Sequence, residues 1–477
     1  MSATAARGGI VERCRDYGLP IDDIEFAAVN GFVFSRTVWC QTDEVEAREH
    51  AAAATLAARR WLDDAALWWA SGRPAALAAN TALASADTHA LDERALAAHL
   101  EAVREQLIDG GIEHFNLHLA DMIPIGLLVG ESRRLGIDDA EAVAAMTGAS
   151  PSSSPSDSIC VVADAVRCAG IAPTNLDEIR ALDPAVAVAL DEHLDRVRFD
   201  VVSRYDVDTP TVGEVPAVTL GLVRSLAAAP PRSAAGPDPR SLRGRVSDDL
   251  IDDALATYPV RDDNTWVFGV RMGLLRRAIL EAARRLGLEP SVALEATAPE
   301  LASALRGSDP IATDELAQRA EARRAWWGAA PPPTLGRDDE GPGGVGPSSV
   351  ALLEALGLCS ELMEAPVGRG EPLCGVGVGS RSHVGRAVVG RTPDELVDDL
   401  EVGDVLVTWT TSPTIDHLLS MAGAVVTVAG GVMSHAAVMA RELGMPALLG
   451  VHDAIERVRT GDLVEVDPVA GRLTIVG

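Results

Sequence analysis

Val428 to Gly450 reads VAGGVMSHAAVMARELGMPALLG. A β-forming run ends at Val428, Gly430-Gly431 allow a tight turn, and Ser434-His435 stand before an amphipathic segment that stops at Gly444-Met445-Pro446, where a second apolar run begins. The stretch therefore spells strand, glycine turn, helix, strand. A histidine at a helix start meets unpaired backbone N–H groups and the positive end of the helix dipole, which favour an anion such as a phosphorylated imidazole. Ser434 can cap the helix or donate to a phosphate oxygen. Ala436, Ala437 and Ala440 keep the helix surface low, and the two glycines permit close approach of a ligand or partner domain. Neutral imidazole is nucleophilic near pH 7, and its bond to phosphorus is labile enough to hand the group on. The bland alternative is a satisfied structural histidine beside an ordinary turn.

Outward from this stretch the β-rich pattern continues. Strands are expected at Gly385–Val389, Asp404–Trp409, Ala424–Val428, Ala447–Leu449, Leu463–Val466 and Leu473–Val476, with helices at Thr414–Met421 and Ser434–Leu443 between them. The turns Glu401-Val-Gly-Asp404 and Arg459-Thr-Gly-Asp462 mark where strands start. Strands alternating with helices over residues 373–477 indicate a compact α/β domain.

The quoted stretch resembles the phosphohistidine motif of the PEP-utilising enzymes, the group that includes phosphoenolpyruvate synthase, pyruvate phosphate dikinase, enzyme I of the sugar phosphotransferase system and rifampin phosphotransferase. The matching positions are Gly430, Gly431, Ser434, His435, Ala436, Ala437, Ala440, Arg441, Glu442, Gly444, Pro446, Ala447 and Gly450. The flanks resemble the family too, at Gly385-Arg-Ala387, Gly403-Asp-Val-Leu-Val407, Thr411-Ser-Pro413, Gly461-Asp462 and Val466-Asp467. The resemblance implies that residues 373–477 are a swivelling domain of α/β (β/β/α) type, with His435 as the nucleophile that carries a phosphoryl group and Ser434, Gly430 and Gly431 beside it. Two departures alter the expected charge near the site: Ser412 stands where the family has Asp, and Gly379-Ser380-Arg381 replaces a Ser-Pro-Gly loop. Arg381 thereby becomes a candidate phosphate or substrate ligand.

The preceding residues, 1–330, read as mostly helical, with 3.6-residue periodicity over Glu44–Ser71, Asp92–Leu107 and Val267–Leu286. Breaks fall at Gly148–Ser158, Ala229–Pro239 and Pro331–Ser349. The last of these is Pro-rich and then Gly-rich; with the short helix at Ser349–Leu362 it makes residues 331–372 a linker and hinge. Residues 23–323 resemble the acceptor-binding domain of rifampin phosphotransferase-like proteins at Val29-Asn-Gly-Phe32, His114-Phe-Asn-Leu-His118, Tyr205-Asp-Val-Asp208 with Pro210 and Glu214, and Val267–Leu286. A Gly-His-Arg-like triplet expected upstream of Tyr205 is absent, with Val197-Arg198-Phe199 near its place. His114 and His118 share a helix face and read either as a general base for an acceptor hydroxyl or as packed, hydrogen-bonded imidazoles; no third ligand suggests a metal. Arg271 and Arg276 are candidates to neutralise a transferring phosphoryl group or to be solvated or paired helix residues. Trp39, Trp61, Trp68, Trp69 and Trp266 could line an apolar pocket or fill the core.

Composition narrows the function further. The chain has 477 residues, 47% of them hydrophobic, and a net charge of −29. That is enough for two to four domains of ~100–200 residues, and the charge argues against nucleic acid or an anionic membrane as partner. No apolar run long enough to span a bilayer and no signal peptide is seen, so a cytoplasmic protein is expected. All 41 basic residues are arginine, which excludes a Walker or Schiff-base lysine. The six cysteines are scattered and read as buried small hydrophobes.

The resemblance implies a dikinase-type phosphotransferase component. His435 would take the β-phosphoryl of ATP, through a pyrophosphohistidine and loss of phosphate, and pass it to a hydroxyl of a small-molecule acceptor with AMP as the other product. Neither an ATP-grasp domain nor a C-terminal (β/α)8 barrel is legible here, so ATP and its Mg2+ are expected on a separate ATP-grasp protein, with no cofactor tightly bound in this chain. Two other readings remain open at the level of sequence: phosphorylation that serves dehydration or activation of an alcohol, and a non-catalytic binding or scaffold protein.

Overall fold

The computed structural model describes residues 2–29, 32–146, 157–201, 207–228, 242–327, 335–336, 341–363, 373–379, 381–390, 394–397, 399–411 and 416–476. Most of the breaks at 148–158 and 229–239 and much of the linker after 330 lie outside these residues. The chain falls into two compact units, each assembled from two stretches: Met1–Ile123 with Val270–Glu354, and Pro124–Gly269 with Ala355–Gly477. The sequence reading divides the chain in order, at 330 and 373. The contacts instead divide it inside two long helices, Glu93–Arg134 and Asp248–Leu286.

The first unit is helical, as expected, with one exception. Strands β1 (Ile21–Val29) and β2 (Phe32–Trp39) pair antiparallel from Ile21 opposite Trp39 to Val29 opposite Phe32. The dipeptide between them is Asn30-Gly31, outside the described residues and a favoured two-residue hairpin loop; helical composition on either side masked that signal. The segment expected as one helix from Glu44 to Ser71 is divided, with helices Val45–Ala58 and Arg60–Leu67 meeting at Arg59, which is left-handed (φ 52°). Leu96, Leu100, Val103 and Leu107 form a fully buried stripe along Glu93–Arg134, and Trp61 and Trp68 are core residues. Cys14, Cys40 and Cys359 are buried as expected, whereas Cys168 and Cys374 are exposed.

Within this unit the part of the helix Asp248–Leu286 that follows Gly269 is fixed by arginines. Arg277 donates to Leu83 O and Ala84 O at the end of the helix Arg73–Ala84, and Arg285 donates to Thr88 O. Buried Glu281 accepts from Arg284 at 2.9 and 2.7 Å and from Arg285 at 2.7 Å. The hydrogen bonds from Arg284, then those from Arg285, hold its carboxyl at about 2 against the opposing effect of burial. A carboxyl depressed in the folded state stabilises above its unfolded pKa, and that stability is lost as pH falls through the folded value. Glu281→Gln is therefore expected to cost about 2 kcal/mol at pH 7. The gap from wild type should close between roughly pH 5 and 2 in denaturant titrations, and a pH-independent gap would refute the assignment.

The second unit contains an eight-stranded mixed sheet in the order β3-β10-β9-β5-β6-β7-β8-β4. Its strands are β3 (Leu373–Cys374), β4 (Val376–Val378), β5 (His383–Gly390), β6 (Val405–Thr408), β7 (Ala424–Thr427), β8 (Ala447–Leu449), β9 (Leu463–Asp467) and β10 (Arg472–Ile475). The neighbours β5 to β8 run parallel, and β4 and β9 pair antiparallel to their outer members. Leu406, Val425, Ala447 and Leu449 face the helices Asp416–Met421 and His435–Leu443, while Val405, Val407, Val426 and Leu448 face a second core with Val464, Val466 and Leu473. Burial on both faces explains why these strands read as unbroken apolar runs. The two Gly-Asp turns are built alike: Gly403 and Gly461 are left-handed, and Asp404 and Asp462 each accept from the N–H three residues earlier.

In the same unit the helix Pro347–Met363 lies directly against Gly126, where an added methyl group would sit 1.9 Å from Ala355 O. Gly126→Ala gains about 1 kcal/mol of helix propensity but forces two backbones apart at a cost of about 1–3 kcal/mol. A lowered denaturation midpoint is expected; a raised one would mean the helices part freely.

Candidate phosphohistidine site

The parallel strands end at one edge of the sheet, where α/β folds place their sites. Thr411 follows β6, Thr427 ends β7, and the loop from Val428 leads to the helix His435–Leu443. Gly430 has φ +116°, and a methyl group there would lie 2.9 Å from Ser434 Cβ. Glycine is thus required twice over, by conformation and by space. Ser434 is the N-cap, with extended backbone, and its hydroxyl accepts from Ala437 N at 3.4 Å. His435, half-buried, is the first helical residue, and its Nδ1 lies 3.1 Å from Thr411 Oγ1. When Nδ1–H donates to that hydroxyl, the lone pair resides on Nε2. Ser434, His435 and Gly430 are thus brought together, with buried Gly431 accepting from Ser434 N at 2.9 Å.

Arg381 is not part of this cluster. It follows β4, whose Val378 pairs with Ala447 at the start of β8, and precedes β5, whose His383 contacts Gly403 O below β6. It is exposed at the sheet edge opposite His435, so the charge it adds is not beside the histidine. Ser380, Ser412 and Pro413 lie outside the described residues.

Four residues of this unit were not given a role from sequence. Thr411 was visible only as part of a flank. Thr427 is buried under the glycine turn, its hydroxyl has no hydrogen-bond partner among the described residues, and it lies 3.7 Å from where a Gly430 methyl group would be. Arg441 donates to Val432 O at 2.7 Å, and its burial lowers its pKa against the opposing effect of neighbouring Tyr258. Tyr258 comes from the helix Asp248–Leu286 and is buried. Met433 N also donates to Leu362 O at 2.9 Å.

The other candidates lie in the first unit. His114 and His118 share a face of Glu93–Arg134, as spacing required, with ring centroids 4.5 Å apart at 67°. His118 Nδ1 is 3.8 Å from Asp121 Oδ2, and Asp121 is buried with Oδ1 lacking a hydrogen-bond partner among the described residues. The arrangement keeps both the base and the packing reading, because Phe115 stacks edge-on against both rings. Arg271 is turned inward: it is buried, donates to Asn80 Oδ1 at 2.9 Å and Gln106 O at 2.6 Å, and lies on Gly110. Its burial lowers its pKa, against the pull of Glu113 and Asp109, and burial raises the Glu113 carboxyl. A phosphoryl group has no access to it in this structure; its fork holds helices together. Arg276 is half-buried on the same helix. Among the described residues no group of three or more His, Cys, Asp or Glu could hold a metal, and no helix is long and apolar enough to cross a membrane.

Residues 400–471 match the family model described as PEP-utilising enzyme, mobile domain. The chain carries that mobile domain, and His435 falls within it. Over 74 residues it is 49% identical to an uncharacterized phosphotransferase, YvkC, of Bacillus subtilis (16% of this chain, 9% of that protein). Over 87 residues it is 46% identical to a phosphoenolpyruvate synthase of Aeropyrum pernix (18% and 11%). Over 159 residues it is 35% identical to a rifampicin phosphotransferase of Streptomyces sviceus (33% and 16%). The chain thus spans less than a fifth of the length of these relatives.

Gly430→Ala is expected to destabilise the protein by about 1–3 kcal/mol, the scale for a non-glycine residue forced into such backbone, as read by chemical denaturation. Unchanged stability would show that the turn can take another conformation.

Proposed function

We propose that the chain is a dikinase-type phosphotransferase component in which His435 relays a phosphoryl group from ATP, bound by a separate ATP-grasp protein, to a hydroxyl of a small-molecule acceptor. The observation that carries this reading is the placement of His435 at a capped helix start, with Nδ1 against Thr411 Oγ1, inside the segment that matches the PEP-utilising mobile domain.

In this reading Nε2 attacks the β-phosphorus of ATP, the bond to the α-phosphate bridging oxygen breaks and AMP leaves. Hydrolysis of the resulting pyrophosphohistidine releases inorganic phosphate. The acceptor oxygen then attacks the remaining phosphorus, the N–P bond breaks, and the hydroxyl proton passes to a base, the role open to His114 or His118. The Thr411 contact fixes the ring and stabilises the Nδ1–H tautomer while Nε2 bears the phosphoryl group. Backbone N–H groups of the first helical turn favour its negative charge. Mg2+ accompanies ATP on the partner, and the segment 331–372 serves as the tether for movement between two sites.

Incubation with β-labelled ATP and an ATP-grasp partner is expected to give acid-labile, base-stable label on wild type and none on His435→Ala. Thr411→Val should slow labelling about 10- to 100-fold, the range for lost positioning of a reacting group. Label that survives in His435→Ala would overturn the assignment, and label on wild type without a partner would place a nucleotide site in this chain.

A further inference from the structure

A cavity of about 600 Å3 opens within the second unit, lined by residues between Thr174 and Leu220. Its volume falls in the range of small-molecule sites. The cavity lies where two apolar cores fail to merge. One core is built on Ile159, Val166, Leu190 and Val223, with Leu176, Leu194 and Leu220 partly buried at its border. The other is built on Val197, Val212 and Val218. Leu176, Leu194, Leu220 and Val212 all line the cavity.

Arg180 and Arg198 are the cationic groups of the lining, and Asp177 and Asp195 line it beside them. Arg180 pairs with Asp177 and Asp191, and Arg198 reaches Asp195 at 3.4 Å. In each pair the carboxylate is the more exposed member: 90% and 59% for Asp177 and Asp191 against 37% for Arg180, and 77% for Asp195 against 47% for Arg198. Such solvent-exposed pairs contribute little to stability, so a ligand anion can take the place of the carboxylate on a guanidinium fork. The wall is held in shape by backbone bonds from Gly213 N to Arg198 O and from Val212 N to Asp200 O.

We propose that this cavity binds an amphipathic organic anion, with an apolar or aromatic body on the leucine floor and a carboxylate, sulfonate or phosphate on Arg198 and Arg180. The site is separate from the phosphohistidine. Leu220 lies on the helix Pro216–Ala228, whose Gly221 abuts Met421, and Met421 O accepts from Gly403 N before β6, at the sheet edge opposite His435. The inference does not depend on the phosphoryl relay.

The full chain is titrated with 1-anilinonaphthalene-8-sulfonate and, as the uncharged counterpart, N-phenyl-1-naphthylamine, with fluorescence as readout. Saturable one-site binding of the sulfonate is expected, at least tenfold tighter than the amine. Arg198→Ala should weaken it about tenfold. Ala217→Trp, an exposed position that fills the cavity without entering either core, should abolish it with an unchanged thermal melt. Equal binding by wild type and Ala217→Trp would remove the site. Binding lost in Ala217→Trp but unchanged in Arg198→Ala would overturn the anion.

Discussion

Burial of β6, β7 and β8 on both faces is the constraint on which the site around His435 depends. A strand packed on both sides leaves no room for a reactive polar side chain along its length, so chemistry is confined to strand ends. The parallel arrangement then brings several ends to one edge. Thr411, Thr427 and the loop to His435 come from different strands, and only the sheet makes them neighbours. Gly430 is the local consequence: the chain must turn back so sharply that its Cα lies over Ser434, which frees Ser434 to cap the helix that His435 begins.

A second regularity is the use of arginine in a chain without lysine. Arg277 in the first unit donates to carbonyls at the end of Arg73–Ala84 and Arg285 to Thr88 O in the turn that follows it, and Arg167 in the second donates to Leu226 O and Ala227 O at the end of Pro216–Ala228. A planar guanidinium can satisfy two terminal carbonyls at once, which an ammonium on a flexible stem does less well. In an acidic protein this gives many arginines an internal task. Arg271, which by charge and helix position resembles a phosphate ligand, is the example: it is buried, with Nε donating to Asn80 and Nη1 to Gln106.

The same contrast explains what could be read from sequence. The strands from β5 to β10, the helix after His435, the Ser434 cap and the glycine turn were legible because each depends on residues within one or two turns of chain, whereas the short β3 and β4 were not foreseen. The hairpin β1–β2 carried a local signal in Asn30-Gly31 but was masked by helical surroundings. The length of Glu93–Arg134, which continues well past Leu107, was hidden because Gly110, Gly111 and Pro124 interrupt the pattern that tertiary packing overrides. Thr411 beside His435, and Tyr258 beside Arg441, were illegible as pairs: 24 residues separate the first, and the second joins distant parts of the chain. Arg381 failed for the converse reason. Proximity in the motif suggested proximity in space, while the antiparallel pairing of β4 carries it to the far edge.

The motif's surroundings also bear on how a carrier histidine could serve two places, as proposed. The loop before His435 is held by the Met433–Leu362 hydrogen bond, and Arg441, which braces that loop through Val432 O, is half-buried beside Tyr258. Hydrogen bonds exchanged for water contribute about 0.5–1.5 kcal/mol net, and a buried guanidinium regains hydration when exposed. Contacts of this kind define a position without making departure from it costly. The polar contacts around Arg441 stand beside the close packing of Gly221 on Met421, so a domain that arrives and leaves must part that helix contact as well as exchange these hydrogen bonds for water.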